Sequence, residues 1–295
     1  MKNSIHEALN AYAKRQGNSE LLDESHFYDF RQNIYGGQMP SRFQRMFMEG
    51  DGGELTAKAC AVHSSSMLGY NFFHWVEQYP LSVEWGDGKT IRYGRVSFEE
   101  KMAVLVGTKP AHMDIVLSNS MGDILFIESK FLEYVGSQKF KLSATYGNAR
   151  KYYAFGNEWV EFISRLDTSS QKQYWDGIKQ EICHLIAIKN WLAQKTDVGG
   201  VWYNGVGDVR FINLVFEPKQ DYSEYDRYLA YKERYEEFHM ALAEQRMIPS
   251  GLQMQFMSYS EMWPFVTDVI PPQLEGYLHK HYMAFAKPIW LHCEQ

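Results

Sequence analysis

Residues 124–131, Ile-Leu-Phe-Ile-Glu-Ser-Lys-Phe, are apolar on both sides of a period-two alternation. A strand of that kind belongs in the buried centre of a sheet. Ile124 and Phe126 share a side with Glu128, and Leu125, Ile127 and Phe131 take the other. Charges at the end of such a strand are costly unless they are paired or bound to a metal. Upstream, residues 113–118 also read as a strand, and Ser120-Met121-Gly122 lies between the two. A three-residue loop with glycine last suits a hairpin whose final loop residue is left-handed. It pairs Asn119 with Asp123, which brings Asp114 opposite Glu128. Alternation then puts Lys130 on the face of Glu128. Two carboxyl groups and one amine therefore converge by register. The bland reading of the trio is a partly buried ion pair; the register and the Glu-Ser-Lys spacing favour chemistry instead.

The chemistry that suits the trio is metal-assisted hydrolysis of a phosphodiester. Opposed carboxylates offer hard oxygen ligands to Mg²⁺, which binds one or two acids and keeps several waters. Such an ion acidifies water and draws charge off phosphoryl oxygens. Lys130 is placed to orient or help deprotonate the attacking water, or to stabilise developing negative charge. The Ser129 side chain points away in this register, and its backbone carbonyl is a candidate further metal ligand.

Asp114 followed by Glu128-Ser129-Lys130 resembles the motif of the PD-(D/E)xK nucleases, the restriction-endonuclease-like superfamily. The motif's proline is displaced: Pro110 lies four residues before Asp114, and Met113 takes the adjacent place. Several phrases are similar to a bacterial family described as restriction endonucleases. They are Ile-Glu-Ser-Lys-Phe-Leu-Glu from Ile127, Val-Ser-Phe-Glu-Glu from Val96, His-Ser-Ser-Ser-Met-Leu-Gly-Tyr-Asn-Phe from His63, and Lys179-Gln180 with His184-Leu185. The resemblance spans about residues 60–216. It implies a mixed sheet core flanked by helices, Mg²⁺ as cofactor (with Mn²⁺ as a substitute) and DNA, in duplex form, as substrate. It also implies that an upstream glutamate completes the metal shell. Glu99 leads there, with Glu100, Glu77 and Glu54 as rivals.

The 295 residues suffice for one large domain. A hydrophobic content of 45% and an aromatic content of 16% fit a well-cored chain. No apolar stretch approaches the length of a membrane span, and the polar first residues lack a secretory core. Cys60, Cys183 and Cys293 form no metal or disulfide pattern, so a reducing cytoplasm is the simplest setting. The net charge of −6 excludes a protein that coats nucleic acid through bulk positive charge. A local basic groove is still allowed: Lys139, Lys141, Arg150 and Lys151 follow the candidate site and are placed to line a phosphate track, although each taken singly reads as solvated surface. A homodimer is compatible with the chain, which does not fix its oligomeric state.

There is no repeat and no Pro/Gly/Ser-rich linker, so one domain is expected over residues 1–295. Its core is placed at about 93–218, with a helical N-terminal extension over 1–80 and a C-terminal extension over 219–295. Helices are expected over 4–16, 40–48, 67–78 (capped by Ser64–Ser66), the second half of 136–165, 168–194, 222–245 and 272–285. Strands are expected around a turn at 85–88, over 93–107, over 210–217 and, as an edge, over 252–257. The fold class is α/β, with the long helix returning the chain to a parallel neighbour in the sheet.

Within the helix over 168–194, Tyr174, Ile178, Ile182, Leu185, Ile186 and Leu192 form the apolar stripe, and Gln173, Asp176, Gln180 and His184 lie opposite. Gln180 is a candidate to face the substrate or orient Lys130; Lys179 and His184 are weaker candidates. Glu133 reads as a surface charge and Asn71 as a hydrogen-bonding core residue. His63 with three serines lacks a nucleophile elbow. His279, His281, His292 and Cys293 lack zinc spacing. The rival to a nuclease is a catalytically silent nucleic-acid-binding or assembly module on the same fold, which usually lacks one of the three groups.

Overall fold

The computed structural model describes residues 4–15, 25–49, 55–56, 58–135, 142–168, 176–193 and 207–288. The chain opens with helices α1 (Ile5–Arg15), α2 (Ser41–Glu49) and α3 (Ser65–Phe73), followed by a hairpin of β1 (Leu81–Glu84) and β2 (Thr90–Tyr93). Strands β3 (Arg95–Met102), β4 (Ala111–Ser118) and β5 (Ile124–Lys130) come next, then helices α4 (Gly156–Thr168) and α5 (Asp176–Leu192). Strand β6 (Val209–Val215), helix α6 (Tyr225–Glu244), strand β7 (Leu252–Ser258) and helices α7 (Tyr259–Thr267) and α8 (Pro272–Leu278) complete the order.

Strands β3 to β7 form one mixed sheet in chain order. The first three are antiparallel; β6 is parallel to β5, and β7 is parallel to β6. The doubly apolar segment is the middle strand, and all seven of its residues are buried, Glu128, Ser129 and Lys130 included. One face packs Ile115, Leu117, Leu125, Ile127, Ile212 and Leu214 against α1, α2, α3, α7 and α8. The other packs Val116, Ile124, Phe126, Val209 and Phe211 against α4, α5 and the second half of α6. The first layer lies close: a Cβ on Gly69 of α3 would come within 2.8 Å of Ile115 Cδ1 and 3.3 Å of Ser129 Oγ.

The β4–β5 register pairs Ser118 with Ile124 and Ile115 with Ile127, as the turn chemistry requires. Asn119 N–H donates to the Asp123 carbonyl at 3.2 Å, and Asn119 Oδ1 accepts from Met121 N–H at 2.9 Å. Gly122 has φ +93°, a conformation that costs a side-chain-bearing residue about 1–2 kcal/mol. Gly122→Ala is therefore expected to destabilise the protein by about that amount, read as a lower urea midpoint at unchanged slope.

Strand β3 and its partner change facing at one point. Val96, Phe98, Ile115 and Leu117 belong to the first core layer, but Met102 and Met113 belong to the second. Strict alternation would keep Met113 with Ile115. The register is unbroken, with Phe98 opposite Ile115 and Glu100 opposite Met113. The reversal therefore falls at the intervening rung of Glu99 and Asp114, where Glu99 has φ +53°.

Several sequence expectations need correction. Strand β3 ends at Met102 rather than near residue 107, and Leu105 instead bridges Tyr152. Helix α3 stops at Phe73, and residues 74–78 are turns. Thr168 ends α4 instead of opening the long helix; Gln173 and Tyr174 lie outside the described residues. The C-terminal helix is two pieces, α8 and a π-helical turn over His279–Met283. Helix α7 was not expected. It begins directly where β7 ends, with Ser258 capping Glu261 N–H at 3.1 Å and Glu261 returning to Ser258 N–H at 2.6 Å.

Candidate active site

The site is one rung of the sheet. Glu128 on β5 pairs with Asn213 on β6; Glu99 and Asp114 fall between the ladder pairs Phe98–Ile115 and Glu100–Met113, and Asp114 stands one residue beyond the last β4–β5 pair. The last ladder pair of the hairpin is Ile115 with Ile127. Beyond it the Asp114 carboxylate stands in for backbone, and its Oδ2 accepts Ser129 N–H at 2.8 Å. The Lys130 ammonium pairs with Glu128 Oε1 and donates to Gln180 Oε1 at 2.7 Å. The Lys130 and Glu128 side chains are only 7% and 2% exposed, whereas Gln180 is exposed on α5. The structure thus brings Asp114, Glu128, Lys130 and Gln180 together.

Helix α5 supplies a second group. His184 Nε2 lies 3.1 Å from the His112 carbonyl, and His184 Nδ1 lies 3.4 Å from Glu128 Oε2. The sequence reading assigned His184 to the side away from the apolar stripe, yet the residue is buried at 3% exposure. Its signal was its place one turn beyond Gln180, since residues four apart share a helix face; that face looks at the sheet rather than at solvent. Asn213 was also missed. It is the one polar side chain in Val-Arg-Phe-Ile-Asn-Leu-Val that shares the Glu128 rung, and its Nδ2 donates to the Tyr231 hydroxyl at 2.9 Å.

Ser129 faces the opposite layer, as alternation requires. Its hydroxyl lies 3.0 Å from the Ser65 carbonyl and 2.7 Å from the Tyr259 hydroxyl. Glu99 Oε2 lies 3.5 Å from His112 Nδ1, on the Asp114 side of the rung. Among its rivals, Glu77 pairs with Arg42 at 2.6 Å and Glu100 is half-buried on the next rung; Glu54 lies outside the described residues. Glu133 Oε2 accepts Phe131 N–H at 2.6 Å. Asn71 binds the Asn33 carbonyl and the Tyr282 hydroxyl, and Ser64 Oγ caps Met67 N–H. His281 Nδ1 meets the Tyr277 carbonyl, while Lys139, Lys141, His292 and Cys293 lie outside the described residues.

The electrostatics follow from burial and pairing. Enclosure of the Asp114 carboxyl, reinforced by the charges of Glu128 and Glu99, holds it well above the usual carboxylate range. Burial pushes Glu128 the same way, but the Lys130 ammonium more than reverses this, so Glu128 sits below its ordinary value. Burial alone would lower Lys130; Glu128, Glu133 and Asp114 raise it instead, and it remains an ammonium. Burial lowers His184, which is neutral at pH 7. With its proton on Nε2 towards the His112 carbonyl, Nδ1 turns a lone pair to Glu128 Oε2. Both atoms are buried without a hydrogen-bond partner. Two neighbouring carboxyl groups, one of them pushed towards its protonated form, plus an orphaned carboxylate oxygen, form a site suited to added positive charge.

Residues 12–283 match the family model described as restriction endonuclease associating with ARP. The chain belongs to that family. No curated protein and no solved structure matches it. The matched span contains the whole sheet and Asp114, Glu128 and Lys130. Among the described residues, no helix is long and apolar enough to cross a membrane.

Proposed function

We propose that the protein is a Mg²⁺-dependent endodeoxyribonuclease acting on duplex DNA. The observation that carries this reading is the Asp114–Glu128–Lys130 cluster at the carboxyl end of a buried central strand, in a chain of a restriction endonuclease family. The silent-module alternative is disfavoured because both acids and the lysine are present and assembled.

Asp114 and Glu128 would hold the ion, with the Ser129 carbonyl as a third oxygen. Ser129 N–H points at Asp114, and the Lys130 carbonyl accepts Phe216 N–H on the β6 side. Carbonyls alternate along a strand, so that of Ser129 faces the gap beside Asp114. No three His, Cys, Asp or Glu side chains form a ready metal cage among the described residues. This fits Mg²⁺, which is bound through one or two carboxylates and retained waters. When bound, such an ion supplies acidified water and Lewis acidity at the phosphoryl oxygen, and Mn²⁺ would serve in its place.

Hydrolysis forms one P–O bond from water and breaks the bridging P–O bond, leaving a phosphomonoester and a hydroxyl. Because Lys130 is an ammonium, its role is to orient water and stabilise negative charge on phosphate, not to take up the proton. Gln180 fixes the Lys130 headgroup from the solvent side. Lys130 holds Glu128, His184 closes off its other oxygen from solvent, and Glu99 acts through its charge on Asp114.

The test is nicking of supercoiled plasmid with Mg²⁺, with Mn²⁺ and with EDTA. Metal-dependent nicking is expected, and DNA binding without cleavage under all three conditions would favour the silent module. Gln180→Ala should slow cleavage about tenfold, an effect in the range of a single positioning contact. Its thermal stability should change little, since exposed substitutions usually stay within about 0.5 kcal/mol.

A further inference from the structure

The catalytic rung lies near the end of the sheet formed by the start of β4 and the finish of β3 and β5. Two loops are stitched together at that end. In the β3–β4 turn, Val106 N–H donates to the Lys151 carbonyl at 2.7 Å, and Leu105 bridges Tyr152. The joined loops carry Lys109 from one side and Arg150 and Lys151 from the other, and Lys101 stands next to the last residue of β3 at the entrance to the turn, paired with His112; all four are exposed. They also carry exposed apolar side chains, namely Val106 at 42%, Tyr153 at 39% and Phe155 at 45%. Glu158, at the start of α4, is an exposed acid beside them.

Two features show that this ridge is held in place. Phe155 adopts φ +57°, and the Lys189 ammonium lies 4.2 Å from the centre of its ring. At Gly156 an added Cβ would come 2.2 Å from the Ala149 carbonyl oxygen, so the loop is closed against its own backbone. A chain with a net charge of −6 that gathers four exposed cations on one preorganised ridge, interleaved with exposed aromatic rings, has built a surface for a polyanion. The ridge is continuous with the site through β4: Lys101 is paired with His112, two residues before Asp114 on that strand.

We propose that this ridge, with Arg150 and Lys151 on its loops and Lys101 where β3 enters it, grips the phosphate backbone of duplex DNA beside the bond that is cut. The inference rests on the nuclease reading and names the residues that would hold its substrate. Backbone contacts position a duplex without reading its sequence. Binding through the ridge is therefore indifferent to base order, and it reports directly as a salt dependence.

The experiment compares wild-type protein with Arg150→Ala/Lys151→Ala and with Lys101→Ala. Binding of a duplex oligonucleotide is measured in EDTA over a range of salt, alongside plasmid nicking in Mg²⁺. Hydrolysis of bis(p-nitrophenyl) phosphate, which is too small to reach the ridge, is measured in parallel. The double variant should bind at least about tenfold more weakly at low salt, and its slope of log affinity against log salt should shrink by about 1.8, or 0.9 for each lost phosphate contact. Turnover of the small diester should be unchanged. If wild-type protein cuts DNA but the double variant binds with the same affinity and slope, the ridge assignment is overturned and the nuclease reading stands. If wild-type protein neither binds nor cuts duplex DNA, both fall together.

Discussion

Lys130→Met should reduce DNA cleavage by about 10²–10³-fold while leaving DNA binding largely intact. The magnitude is that of removing one charge-stabilising donor from a preorganised site. Lys130 is buried, it remains an ammonium, and it donates to Glu128 and to Gln180. Removing it also leaves Glu128 buried without a counter-charge. Breaking such a pair costs about 3–5 kcal/mol, so an inactive variant has to be shown to be folded. Lys130→Arg supplies that control. It keeps the positive charge and should melt near the wild-type temperature, yet a planar guanidinium cannot place its charge where a compact ammonium sits, so cleavage should still fall. A folded Lys130→Met protein that cleaves at more than about a tenth of the wild-type rate would remove the lysine from the chemistry.

The second large effect is the response of stability to divalent cations and pH, and its loss in Asp114→Asn. The native carboxyl of Asp114 is raised by burial and by the neighbouring charges of Glu128 and Glu99. A carboxyl with a raised native pKa binds its proton more tightly folded than unfolded. Its contribution to stability is therefore complete below the unfolded value and is lost as pH rises through the native value. Glu128 is lowered, so its contribution has the opposite sense: it is present above the unfolded value and lost as pH falls through the native one. Above about pH 6 the Glu128 contribution is complete, so a further fall in stability with rising pH belongs to Asp114. In EDTA, wild-type protein should lose melting temperature from pH 6 to pH 8 relative to Asp114→Asn. Mg²⁺ should restore it, more at pH 8 than at pH 6, because an ion that binds only the native state stabilises by mass action. Asp114→Asn should show neither response and should not cleave DNA. Identical melting profiles of the two proteins in EDTA and in Mg²⁺ would mean that no ion binds at Asp114.

What the chain disclosed beforehand was mainly what depends on spacing. Gly122 at the end of a three-residue loop was enough to set the hairpin register, and the register was enough to oppose Asp114 and Glu128 and to align Lys130. The parallel return through helices followed from the order of elements and from a doubly apolar β6. What could not be read depends on the neighbours that a helix acquires. Helix α5 is wedged between the sheet and the α4 and α6 layer, so Glu181, His184 and Asn190 are buried along with its isoleucines. A polar residue opposite an apolar stripe is ordinarily solvated; here a second packing surface occupies that side, and His184 turns to Glu128. The facing reversal at Glu99 was equally hidden, since nothing in Phe-Glu-Glu-Lys indicates which glutamate takes a positive φ. Helix α7 did have a signal, the Ser258 and Glu261 capping pair, but it directly follows a strand with no intervening turn residues.

The middle residue of the Glu-Ser-Lys triplet ties the two halves of the molecule together. Its hydroxyl is fastened to Ser65 at the start of α3 and to Tyr259 at the start of α7, while the residues on either side of it face α5. Ser129 thereby joins the N-terminal helical layer, through a single backbone step, to the Glu128 carboxylate and the Lys130 ammonium. If the protein cuts DNA as proposed, a partner docked on that remote layer would hold a short mechanical lever on the rate without ever approaching the nucleic acid.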